Sequence, residues 1–120
     1  GKADRSTGKE LQVYGDANLL TLALINLIRN ALQAVEGQED GIVRVDTCAG
    51  ATGHLLIIIT DNGPGIPPER LSAIFTPFFS TKSGGSGIGL PISQRIMQLH
   101  GGQLSVSSIP NVRTEFRMEF

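Results

Sequence analysis

Asp61-Asn62-Gly63-Pro64-Gly65-Ile66 is followed about two dozen residues later by Gly84-Gly85-Ser86-Gly87-Ile88-Gly89-Leu90. These two glycine boxes bracket a loop rich in Pro and Phe. Glycine lets a backbone approach a ligand closely and takes positive φ without penalty. The second box runs into a helical pattern, and a helix start offers N–H groups to phosphate. The pair reads as a nucleotide site, with a base-reading acid at one end and a phosphate cradle at the other.

Working outward from the boxes, the chain alternates between strand and helix patterns. Leu11-Gln12-Val13-Tyr14 is a short alternating strand closed by Gly15, and Asp16 is placed to cap a helix. From Asn18 to Val35 apolar residues recur at helical spacing: Leu20, Leu24, Leu27, Ala31 and Val35, with Ile28 and Leu32 beside them. Gly37 ends that helix. Ile42 to Cys48 alternates like a half-buried strand, Gly50 to Gly53 marks a hairpin turn, and Leu55 to Ile59 reads as a strand buried on both faces or central in a sheet.

Residues 63–86 read as loop, with a helical turn over Pro68 to Ile74. Five of the six prolines lie between Pro64 and Pro91, where a mobile lid is expected. Ile88, Ile92, Ile96 and Leu99 restore the helical period until Gly101-Gly102 stops it. Two more strands, Leu104 to Ser107 and Thr114 to Phe120, are joined by a turn at Pro110-Asn111. The fold class expected is α+β, a mixed sheet with helices on one face. Residues 1–10 form a polar lead-in and 11–120 the domain.

Composition narrows the functions open to the chain. With 120 residues, 40% hydrophobic and 18% charged, it has enough apolar content for one globular core. A net charge of −1 gives no electrostatic case for a nucleic-acid backbone or an anionic membrane as partner. A polyanionic ligand must then be held by local groups: a metal, a lysine, backbone dipoles. Cys48, the one cysteine, is expected as a buried small hydrophobe, and a disulfide framework within the chain is excluded. The longest apolar run, Leu55 to Ile59, is too short to cross a bilayer.

The chemistry-bearing residues each admit two readings. Asn26 and Asn30, four apart, share a helix face; they are either a solvated face or amide oxygens suited to Mg²⁺. Asp61 is either part of an ordinary Asp-Asn-Gly turn or an acceptor for an exocyclic amino group. Residues 83–90 are either a flexible linker or a phosphate loop, and they fit neither the P-loop nor the dinucleotide spacing. Lys82 is a solvated charge or a phosphate contact. Ile74-Phe75-Thr76-Pro77-Phe78-Phe79 is core packing or a hydrophobic hinge of the lid. His54 and His100 have no catalytic partner pattern and read as structural or surface residues.

In order along the chain, Asn26-Leu27-Ile28-Arg29-Asn30-Ala31, Asp61 to Ile66, Phe75 to Lys82 and Gly85 to Leu90 resemble the N box, first glycine box, F box and second glycine box of sensor histidine kinases. His100-Gly101-Gly102 and Thr114-x-Phe116 match as well. The Pro-Phe-Phe-Ser-Thr-Lys form of the F box looks most like the nitrogen-regulation, oxygen-sensing and dicarboxylate-sensing subgroup. The resemblance implies a Bergerat-type sandwich of a mixed sheet under three helices, with ATP and Mg²⁺ as its ligands. It implies that Asn30 binds Mg²⁺ with Asn26 in support, and that Asp61 reads adenine in a pocket shaped by Gly63, Gly65 and Ile66. Gly85, Ser86, Gly87, Ile88, Gly89 and Leu90 would wrap the phosphates, Lys82 would approach the γ-phosphate, and Thr114 would hold Asp61 or adenine through its hydroxyl. The resemblance also implies that Asn30 and Lys82 carry the catalytic role.

Arg113 departs from the Gly usual before that Thr, which puts the geometry of the last turn in question. Pro91 is unusual just inside its helix, though a first turn tolerates it. The phosphoacceptor histidine of the family lies on a separate helical hairpin whose motif is not in this sequence. The expected function is γ-phosphoryl transfer from Mg-ATP to that histidine. The implied partners are the histidine-bearing dimerisation domain and, indirectly, a response regulator; no nucleic acid or direct membrane contact is expected. The isolated domain is expected to be monomeric and cytoplasmic, within a homodimeric parent for which a membrane anchor stays open. Two alternatives are an ATPase switch of the gyrase or chaperone type and a nucleotide-binding module without transfer activity. Asn26 favours the kinase, because the ATPases carry Glu there to activate water and Asn is no carboxylate base.

Overall fold

A computed structural model describes residues 13, 15–51, 53–76 and 89–120. In chain order the elements are α1 (Ala17–Ala34), β1 (Val43–Ala49), β2 (Leu55–Asp61), α2 (Pro68–Leu71), α3 (Gly89–Leu99), β3 (Gln103–Ile109) and β4 (Arg113–Glu119). The four strands form one sheet in the order β1-β2-β4-β3. Every pairing in it is antiparallel. The α+β class is as expected, but the expected mixed character is not seen among the described strands. The strand expected at Leu11 to Tyr14 falls outside the described residues, Val13 apart.

Helix α1 starts where Asp16 accepts a hydrogen bond from the Leu19 N–H at 3.0 Å, the capping role its side chain suits. Its buried line is Ala23, Leu27 and Ala31, flanked by half-buried Leu20, Leu24 and Ile28. Leu32, expected beside the apolar stripe, is 53% exposed. Ala23 in this stripe meets α3, and its small side chain lets the two helix backbones come close. Ser93 of α3 donates its hydroxyl to the Ala23 carbonyl at 3.2 Å, and both residues are fully buried.

The same close contact shifts the expected face of α3. Ser93, Ile96 and Met97 are buried, whereas Ile92 and Leu99, expected inward, are 37% and 61% exposed. Hydropathy ranks Ser93 as polar and so misplaces the stripe by about one residue. Helix α3 ends in a Schellman arrangement: the Gly102 N–H bonds the Met97 carbonyl at 2.9 Å and the Gly101 N–H bonds the Gln98 carbonyl at 3.0 Å. Gly101 sits at φ 75°, the left-handed conformation that this cap requires. His100 joins the far ends of the two helices. Its Nδ1 lies 2.8 Å from the Ile96 carbonyl and its Nε2 accepts the Asp16 N–H at 3.0 Å, which fixes the proton on Nδ1.

Strand β2 is central, as its apolar run implies, but it is covered on one side only: Ile59 is buried while Leu56 and Ile58 stay half-exposed. On β4, Thr114, Phe116 and Met118 point into the core, and Arg113, Arg117 and Glu119 point away. Cys48 pairs with Leu56 on that outer side and is half-exposed, not buried as expected. The core proper joins Leu27, Ile59, Ile96, Met97, Phe116 and Met118, with Ile74 closing it from the segment after α2.

The turn after α3 gives a direct test of this packing. A Cβ at Gly102 would collide with the Glu119 carbonyl oxygen, while one at Gly50 would make only ordinary contact, 3.5 Å from the His54 carbonyl. Gly102→Ala is expected to cost about 1–3 kcal/mol of stability by overpacking, and Gly50→Ala to be near neutral. Urea unfolding of the two variants beside the parent chain measures the difference.

Candidate nucleotide site

One face of α1 links the two glycine boxes. Asn26, Asn30 and Ala34 follow one another at successive turns, and each is half-buried. At the Ala34 end lies the first box. A Cβ on Gly63 would sit 2.7 Å from the Ala34 carbonyl oxygen and 2.9 Å from Asp61 Oδ1, so only glycine fits there. At the Asn26 end lies the close of the second box: Asn26 Nδ2 donates to the Gly89 carbonyl at 3.4 Å. From Asn26 to Ala34 the helix rises about 12 Å.

Asp61 is the last residue of β2 and is only 2% exposed. Its Oδ1 accepts the Gly63 N–H at 2.9 Å, which holds the carboxylate beside the turn it begins. Directly across the sheet stands Thr114 on β4, also buried. These two polar side chains therefore share the inner face at the end of the sheet. Thr114 Oγ1 lies 3.0 Å from Ser108 Oγ on β3, a partner that sequence reasoning missed.

The first box is locked in place from the β3–β4 turn. Gly65, at φ 82°, leaves no room for a Cβ against Pro110 and Ser108. The Ile66 N–H donates to Ser108 Oγ at 2.8 Å, and the Asn111 N–H donates to the Pro64 carbonyl at 2.7 Å. Ile66 packs its side chain on the core. Asn111 takes the left-handed conformation, φ 64°, so the turn is made without a glycine at position 113. Arg113 is an ordinary first residue of β4 and pairs with Ile109.

Asn62 is the second residue that the sequence undervalued. It read as a turn former, yet its Oδ1 accepts the Ile42 N–H at 2.7 Å and its Nδ2 donates to the Asp40 carbonyl at 2.8 Å. The Gln38 side chain reaches the Asn62 carbonyl at 3.2 Å. The loop between α1 and β1 is thus sewn to the first box. An Asn before Gly in a box that must be rigid was the available signal.

Gly89 and Leu90 open α3 and are half-buried, Leu90 against the core. Pro91 occupies the first turn of that helix, where its lack of an N–H does no harm. Lys82, Gly85, Ser86, Gly87 and Ile88 lie outside the described residues, as do Pro77, Phe78 and Phe79 of the expected lid. Of that segment's root, Ile74 is buried and Phe75 packs on the core, which favours the packing reading for these two. Among the described residues no group of three or more His, Cys, Asp or Glu gathers to hold a metal. Asn26 and Asn30, half-buried at successive turns of α1, are the amide-bearing residues of this face. Because Asn26 spends Nδ2 on Gly89, its Oδ1 is the atom left for ligation. Such a set suits a hard cation that keeps several waters.

Comparison with known proteins agrees with this geometry. Residues 15–120 match the family of histidine kinase-, DNA gyrase B- and HSP90-like ATPases. The chain is 42% identical over 98 residues to the sensor histidine kinase ZraS of Salmonella typhimurium, covering 82% of this chain and 21% of that protein. It is 41% identical over 104 residues to the C4-dicarboxylate transport sensor protein DctB of Rhizobium meliloti, covering 87% and 17%. It thus spans about a fifth of the length of these relatives. Among solved structures it superimposes on the mycobacterial sensor histidine kinase MprB with a TM-score of 0.76 at 30% identity, covering 90% of this chain and 76% of that one. It also matches full-length ShkA in complex with AMPPNP, with a TM-score of 0.78 at 28% identity over 92% of this chain and 23% of that one. The chain belongs to the histidine kinase-, DNA gyrase B- and HSP90-like ATPase family, in its sensor histidine kinase branch.

Proposed function

We propose that residues 11–120 form the module of a two-component sensor kinase that gives the γ-phosphoryl group of Mg-ATP to a histidine on a separate dimerisation domain. One observation carries this reading: a single face of α1 connects the buried acid of the first box with the exit of the second. Asp61 accepts from the 6-amino group of adenine, and the phosphates extend along Asn30 and Asn26 toward Gly89. Mg²⁺, when bound through the Asn30 side-chain oxygen with Asn26 in support, supplies charge neutralisation on the phosphate oxygens. Lys82 is assigned to the γ-phosphate on the strength of its place in the F-box sequence.

The chemistry asks little of the protein beyond positioning. An imidazole nitrogen of the acceptor attacks the γ-phosphorus, a P–N bond forms as the bond to the β–γ bridging oxygen breaks, and ADP leaves. The imidazole is its own nucleophile, so no protein base needs to activate water. This favours transfer over hydrolysis, since Asn26 holds an amide already engaged with Gly89 where the ATPase relatives hold a carboxylate. On the same reading, this module faces the cytoplasm, is monomeric alone, and meets its histidine domain within a dimeric parent. No helix among the described residues is long and apolar enough to cross a membrane.

Three outcomes follow from these assignments. Asn30→Ala is expected to lower transfer to an added histidine-bearing hairpin by roughly 10- to 100-fold, the scale seen when a metal site loses its support, with an unchanged melting temperature. Wild-type transfer by that variant in Mg²⁺ rules out the metal role. Asp61→Asn keeps the acceptor for the Gly63 N–H but adds a donor, so the preference for ATP over GTP should shrink by about 1–3 kcal/mol in calorimetry. Finally, the chain alone should not label itself from γ-labelled ATP. Adding its parent's hairpin should place acid-labile label on the hairpin, slowly because the tether is absent; label on His54 or His100 contradicts the proposal.

A further inference from the structure

Ser108 makes three contacts with one hydroxyl. Ile66 N–H donates to its Oγ at 2.8 Å, the Arg113 carbonyl accepts from it at 3.2 Å, and Thr114 Oγ1 lies 3.0 Å away. A serine hydroxyl has one hydrogen and two lone pairs. The Ile66 N–H takes one lone pair. The Arg113 carbonyl has no hydrogen to give, so it takes the serine proton. With the serine proton on the Arg113 carbonyl, the third contact is made by Thr114 donating into the remaining lone pair of Ser108. Thr114 is 3% exposed, so water has little access to offer another arrangement.

We propose that Ser108 is a positioning residue that fixes the direction of the Thr114 hydroxyl and, through it, the base preference of the site. With its proton committed to Ser108, Thr114 presents lone pairs to the end of the sheet, beside the Asp61 side chain, whose Oδ1 accepts the Gly63 N–H. The polar wall formed by positions 61 and 114, which pair across β2 and β4, is therefore an acceptor wall. It matches an amino group, directly or through a water, and opposes a 6-oxo group. The same serine hydroxyl ties Ile66 of the first box to the β3–β4 hairpin, so base reading and box geometry are set by one side chain. This inference rests on the adenine reading of Asp61.

The test compares ATP with inosine triphosphate, which replaces the 6-amino group by 6-oxo. Ser108→Ala frees the Thr114 proton to donate, so the affinity ratio of ATP to inosine triphosphate should fall by about tenfold. Both nucleotides should also weaken together because the Ile66 N–H loses its acceptor. Taking the ratio on one preparation cancels any difference in folded fraction. Thr114→Val removes the group through which Ser108 acts, so Ser108→Ala in that background should leave the ratio unchanged. A ratio preserved in Ser108→Ala, or one that still falls in the Thr114→Val background, overturns the role of Ser108 while leaving adenine recognition intact. A wild-type chain that binds inosine triphosphate as well as ATP overturns the adenine reading, and the inference with it.

Discussion

The close approach of α1 and α3 is the constraint on which the rest of the molecule depends. Ala23 and Ser93 meet with no exposed surface, joined by the bond from the serine hydroxyl to the alanine carbonyl. Two more polar contacts run along the same antiparallel pair, Asp16 to His100 at one end and Asn26 to Gly89 at the other. An intervening larger side chain at either small residue would part the helices, and with them the asparagine face from the exit of the second box. A buried hydroxyl is tolerated because its partner is in place; without it, desolvation would go uncompensated.

From that contact the site is built by backbone proximity more than by side-chain reach. Gly63 lies against the last turn of α1, Gly65 against the β3–β4 turn, and neither position has space for a Cβ. Elements distant in sequence are thus brought to one end of the sheet, where two buried polar residues face inward from neighbouring strands. Close packing of this kind transmits small displacements, because interiors have few voids to absorb them.

Much of this was legible in the sequence, for physical reasons that differ by element. Helix α1 was readable because Asp16 caps it and its apolar residues keep the 3.6 period; β2 was readable because five consecutive apolar residues fit a central strand. Chemistry carried by backbone was readable through glycine, as at Gly63 and Gly65. What was not readable depended on tertiary contact. The alanine-centred stripe of α1 and the inward Ser93 look unremarkable until the two helices meet, and Ser108 gives no local signal since all three of its partners lie on other turns and strands. Cys48 was misplaced because alternation along β1 gives two faces without saying which is covered. Arg113 looked like a departure in a glycine position, yet Asn111 supplies the left-handed residue instead.

Asn62-Gly63 is, as a dipeptide, the sequence most prone to spontaneous deamidation: the glycine nitrogen attacks the asparagine side-chain carbonyl and closes a succinimide ring. Here both participants are immobilised. The Asn62 amide is held at its oxygen by Ile42 and at its nitrogen by Asp40, and the Gly63 N–H is bound to Asp61. Ring closure would have to break all three bonds and turn a buried glycine, so the fold that shapes the first glycine box also protects its most perishable bond from ageing. The durability of this site in a long-lived cell is thereby coupled to its folded state, and local opening of the first box would expose it to irreversible chemical damage.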